Sequence, residues 1–74
     1  MTREEAIEHV DGLLHHVRAL AALRDHEAAH GIEDTIYEWV LENVAQGAIK
    51  AKDAAAVAAR ALTARDIEFS RHCA

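Results

Sequence analysis

Residues 25–47 read DHEAAHGIEDTIYEWVLENVAQG, and this stretch decides the fold. Asp25 is a residue type that caps a helix N-terminus, and Gly47 is suited to a left-handed helix terminator. No proline interrupts the residues between them. At 100° per residue, Ala29, Ile32, Ile36, Tyr37, Trp39, Val40, Leu41 and Val44 fall within an arc of roughly 200°. The spacing predicts a helix over 26–45. A face that wide needs more than one neighbour, either both other helices of its own chain or a second copy.

Toward the N-terminus, Thr2-Arg3-Glu4-Glu5 has the spacing of a capping box. Ile7, Val10, Leu14, Val17 and Ala21 then recur at intervals of three and four, widened by Leu13 and Leu20, which predicts an amphipathic helix ending near Arg24. Gly12 lies opposite that stripe, where it costs about 1 kcal/mol in helix propensity but leaves no hole. The missing proline leaves open a continuous first and second helix bent near Asp25 or Gly31. Toward the C-terminus, Asp53 is expected to cap a third helix carrying Val57, Ala58, Ala61 and Leu62. Thr63 and Asp66 repeat a cap spacing, predicting a break or short final turn, with Ile67 and Phe69 folding back on the core. No segment alternates with the strand period, and no linker or internal repeat is evident. The expectation is a single all-α domain over 1–74, a small bundle of three main helices with a short C-terminal turn.

The chain has 74 residues, 51% of them hydrophobic, but 17 of those 38 are alanine. A core of this size contributes roughly 3–5 kcal/mol, and short chains usually add a staple, a metal or a partner subunit. With Cys73 as the one cysteine no internal disulfide can form, so a homodimer is the expectation. The longest strictly apolar run is six residues, 54–59, against about 20 needed to span a bilayer, so a cytoplasmic chain without membrane contact is expected. Net charge is −5, divided unevenly. Residues 1–45 carry three basic and ten acidic side chains; residues 46–74 carry five and three. That layout suits a protein partner with a basic patch, or antiparallel pairing with a second copy.

His26-Glu27-Ala28-Ala29-His30 matches the HExxH string of zinc peptidases, in which two histidines four apart share an ion and the glutamate serves as base. Such an enzyme also needs a third ligand from another segment and a substrate cleft. Glu33, Asp34, Glu38 and Glu42 lie mostly on the same helix, which cannot easily wrap one ion. Glu27-x-x-His30 is also the half-motif of di-metal bundles, which a symmetric dimer would double. The metal alternative therefore rests on His26, Glu27 and His30, with zinc or a di-metal centre; the main reading has no cofactor and no catalytic residue.

The same helical wheel places His26, His30 and Glu33 inside the apolar arc beside Tyr37, with Asp34 at its edge. Buried polar groups require partners, so the expectation is a hydrogen-bonded network of His26, His30, Glu33 and Asp34 with Tyr37. His9, His15 and His16 fall on a solvated face, where Glu5 and Asp11 sit one turn before His9 and His15. His72 and Cys73 are adjacent near a terminus, a poor position for a nucleophile pair. Trp39 and Tyr37 are the aromatics suited to an interface, beside the exposed acids Glu38 and Glu42. Lys50, Lys52, Arg60, Arg65 and Arg71 form the basic cluster, a second alternative as a nucleic-acid face.

The stretch Asp25 to Tyr37, followed by Ala61-Leu62 and by Ile67 to Ala74, resembles small helical proteins of actinobacterial phages, prophages and plasmids, a group without an established activity. The resemblance spans about two-thirds of the chain. In that group's pattern Glu27, Ala28, Ala29, His30, Glu33 and Asp34 recur, whereas position 26 varies, which implies an accidental HExxH string. The resemblance implies a mobile-element setting in which short acidic helical proteins act by binding host or phage proteins. The functional expectation is a non-enzymatic protein-interaction module, a modulator of a host or phage protein.

Overall fold

The computed structural model describes residues 1–71. Three α-helices, α1 (Arg3–Ala22), α2 (His26–Ala45) and α3 (Ala51–Leu62), are followed by a 3₁₀ turn at Thr63–Asp66. Among the described residues there is no strand, and no helix is long and apolar enough to cross a membrane.

The capping box at the start of α1 is formed. The Thr2 hydroxyl accepts from the Glu5 amide at 3.1 Å, and the Glu5 carboxylate accepts from the Thr2 amide at 2.8 Å. These bonds satisfy two of the donors a helix start leaves unpaired, and they hold the Glu5 carboxyl below its usual range. The helix stops two residues before the expected Arg24, because Arg24 takes a left-handed conformation at φ +59°. The Arg24 amide donates to Ala21 O and the Asp25 amide to Leu20 O, both at 3.0 Å, the pattern of a Schellman terminator. Asp25 then turns its carboxylate onto the Ala28 amide and begins α2 at once. The first two helices are therefore separate, with a break at Leu23–Asp25 and none at Gly31. Gly47 ends α2 at φ +79°.

The third helix begins earlier than its cap signal. Lys50 is the N-cap, in extended conformation without a side-chain bond, and Asp53 falls in the first turn, where its charge faces the positive helix end. Ile49 explains the shift: it is buried, so the chain turns inward directly after Gly47, and the alanines that follow form helix readily. Thr63 likewise caps no new helix. Its hydroxyl donates back to Arg60 O at 2.7 Å, closing α3.

Ala6, Val10, Leu14 and Val17 of α1 meet Ala29, Ile36 and Val40 of α2, with Ile49, Val57, Ala61 and Ala64 closing the core. On α1 the small Ala6, not Ile7, is the deeply buried first member; Ile7 packs half-buried beside it. Ile67 and Phe69 pack against this core from the tail.

Candidate functional site

One member of the buried set carries a charge. Glu33 is 4% exposed on the core face of α2, one turn from Ala29 and Ile36. A buried carboxylate is costly unless it is paired and hydrogen-bonded, and Glu33 is both. The Tyr37 hydroxyl donates to Oε2 at 2.7 Å. From 38 residues away, Arg71 donates Nε to Oε1 at 2.9 Å and Nη2 to Oε2 at 3.3 Å, a two-pronged grip. The guanidinium also donates to Ala64 O, Ile67 O and Phe69 O, and it lies 3.9 Å from the centre of the Phe69 ring. Arg71 thus binds residues 64–71 both to one another and to α2.

The electrostatics follow from this grip. Burial raises the Glu33 pKa, but the bonds from Arg71 and Tyr37 and the adjacent guanidinium outweigh it and hold the carboxyl below its ordinary range. Burial, the bond to Glu33 and the carboxylate's charge push Tyr37 up to about 12, so its phenol remains a donor. The Arg71 pKa is raised, chiefly by its bond to Glu33.

The other residues of the expected polar network sit further out. His26 is half-buried, and its Nδ1 accepts from the Ser70 amide at 3.1 Å. His30 Nδ1 lies 3.5 Å from Asp34 Oδ2, but Asp34 is exposed. The buried centre is Glu33–Tyr37–Arg71, with His26 on the tail and the His30–Asp34 pair at the surface. Arg71 was assigned above to a basic cluster; it is engaged by Glu33. Arg60 is also engaged, by Asp11 of α1 at 3.3 Å, which takes Asp11 from its expected pairing with His15. Of the cluster, Lys50, Lys52 and Arg65 stay exposed without a carboxylate within ion-pair distance among the described residues.

His26, Glu27 and His30 do not converge with a third donor. Among the described residues no group of three or more His, Cys, Asp or Glu side chains is placed to hold a metal ion. His72 and Cys73 lie outside the described residues. His9 is exposed as expected, yet it stacks on Trp39 with ring centres 4.1 Å apart. Trp39 therefore closes the α1–α2 seam, on the side of α2 away from α3.

Between α2 and α3 the core is incompletely covered. Tyr37, Val40 and Leu41 face Ala58, Ala61 and Leu62 across a groove of about 290 Å³ with almost wholly apolar walls. Leu41 is 69% and Leu62 43% exposed, and Val44 continues the exposed apolar row along α2. Glu38 and Asp34 border Leu41 on the solvent side, Glu42 lies further round the same helix, and all three are exposed. The sequence reading assigned Leu41 and Leu62 to packed helix faces and did not single out either as an interface residue. Compared with protein-family models, curated proteins and solved structures, the chain matches none.

Proposed function

We propose that this chain is a non-enzymatic protein-interaction module whose contact surface is the groove between α2 and α3. The observation that carries this reading is the pair Leu41 and Leu62, two large apolar side chains left in water on either bank of an apolar trough. Grouped exposed apolar side chains with a polar border mark a contact surface, whereas isolated ones do not. Tyr37 forms the floor, its ring in the groove and its hydroxyl fixed on Glu33, so it enters any contact already ordered. Glu38 and Glu42 give the α2 bank its acidic character and suit a partner that presents positive charge. Trp39 contributes to the fold through His9 and has no part in this surface. In a mobile-element setting the module would modulate a host or phage protein.

The test places a photoreactive amino acid at position 41 or 62, with position 16 on the outer face of α1 as the control. Irradiation in the cells of origin is expected to give discrete protein adducts from the two groove positions and none from the control. Adducts absent at both groove positions, or equal at all three, overturn the reading.

A further inference from the structure

The groove alone is too small to hold a partner, and this constrains what fits. A stable interface buries about 800 Å² per partner. No face of this molecule exceeds about 36 by 19 Å, about 680 Å² in outline before side-chain relief is added. An occupant must therefore cover the whole α2/α3 face, charged bank included. That face is unlike on its two sides. The α2 side carries Asp34, Glu38 and Glu42. By the helical wheel, the α3 side facing the groove carries Ala51, Ala55, Ala58 and Leu62 and no acid. Arg65, exposed in the 3₁₀ turn three residues past Leu62, stands beyond the groove's Leu62 end.

We infer that the occupant is a second copy of this chain, related by a two-fold axis running along the helices so that α2 of each copy lies antiparallel on α3 of the other. This rests on the interaction reading above and names its partner. α2 and α3 are joined by a short turn and run in opposite directions, with Tyr37 and Leu41 level with Leu62 and Ala58. The rotation therefore brings Leu62 of each copy opposite Tyr37 and Leu41 of the other, at the same height. Arg65 of each copy then stands over Asp34 and Glu38 of the other, two oppositely charged contacts from one sequence feature. The alanines of α3 let the partner's α2 approach closely, and the four helices enclose both grooves in one core. The other two-fold, across the helices, lays α2 on α2 and faces acids with acids; like charges opposed across an interface are repelled. The closed pairing needs only one self-complementary patch per chain.

Sedimentation equilibrium of the full chain over micromolar to hundreds of micromolar is expected to give twice the 8.1 kDa chain mass at the upper end. Leu41→Asp, at an exposed position that leaves the fold intact, is expected to give monomers with an unchanged helical spectrum. The pairing itself is tested by charge reversal. Glu38→Arg alone and Arg65→Glu alone each set like charges against each other and should weaken association by about tenfold or more. Mixed one to one, the two variants restore both contacts in a heterodimer, and the mixture should associate like the native chain. No contact within one chain reproduces rescue by mixing. A native chain monomeric at hundreds of micromolar overturns the second copy as occupant, whereas photo-adducts with some other protein would leave the interaction module itself standing. Dimers indifferent to all three substitutions, or reversal variants that fail to rescue each other, overturn the arrangement.

Discussion

Arg71→Ala removes the guanidinium that grips Glu33. Removing one partner of a buried ion pair costs about 3–5 kcal/mol when the remaining charge stays dry. Glu33 is nearly inaccessible, but the Arg71 side chain is 34% exposed, so water can follow it into the space it leaves. The expected loss is therefore at or below the low end, about 2–3 kcal/mol, from the lost charge-assisted bonds and the freed tail. Against a total of about 3–5 kcal/mol for a core this size, that is more than a third of the stability. Urea unfolding followed by circular dichroism at 222 nm should show the midpoint falling by about half. The pH dependence adds a second check. The folded pKa of Glu33 lies below its unfolded one, so its contribution is fully present above the unfolded value and is lost as the pH falls through the folded one. Without Arg71, burial acts against the ionised form, and the loss of stability on acidification through the carboxylate range should shrink. A change under about 0.5 kcal/mol with an unaltered acid limb would refute the view that Arg71 compensates a buried charge.

Gly12→Ala should stabilise the chain by about 0.5–1 kcal/mol, because a Cβ there meets nothing within 4 Å; a lower thermal midpoint would contradict this. Arg24→Gly should raise stability by about 0.5 kcal/mol, since relief of the left-handed strain at φ +59° exceeds the added freedom of the unfolded chain, and the same melt measures it. His30→Ala should change stability by less than about 1 kcal/mol, because its partner Asp34 is mostly in water; a loss above about 2 kcal/mol would show His30 to be a buried anchor after all.

The parts of the fold legible in the sequence are those set by local rules. The capping box at Thr2, the cap at Asp25 and the terminator at Gly47 each depend on residues within one turn, and each is where the spacing places it. Local reading failed where a distant contact overruled a local signal. Asp53 has a capping side chain, but burial of Ile49 starts α3 sooner. Arg24 carries no mark of a terminator, because glycine is the usual occupant of that conformation. The wheel placed Glu33 beside Tyr37 within the apolar arc, but nothing near Glu33 in sequence points to Arg71, which reaches it only when the tail folds back. The stack of His9 on Trp39 is of the same kind, invisible on either helix alone.

The buried carboxylate and the open groove share one origin in helix length. At about 1.5 Å per residue, the 20 residues of α2 extend about 30 Å and the 12 of α3 only about 18 Å, so α3 cannot cover α2 from end to end. It lies along the second half of α2, where Tyr37 and Leu41 meet Ala58 and Leu62. The first half is left for residues 67–71, and these lie there: the Ser70 amide on His26, Arg71 on Glu33 and Phe69 against the core. A tail in irregular conformation brings carbonyls that need donors, and the guanidinium that holds Glu33 also satisfies two of them, Ile67 O and Phe69 O. Over the second half the cover is regular helix, but alanine is too small to reach Leu41. The polar closure at one end and the apolar opening at the other are thus two consequences of a short, alanine-rich α3. Lengthening that cover with larger side chains, as in Ala58→Leu, should fill the groove, raise the chain's own stability and abolish association together.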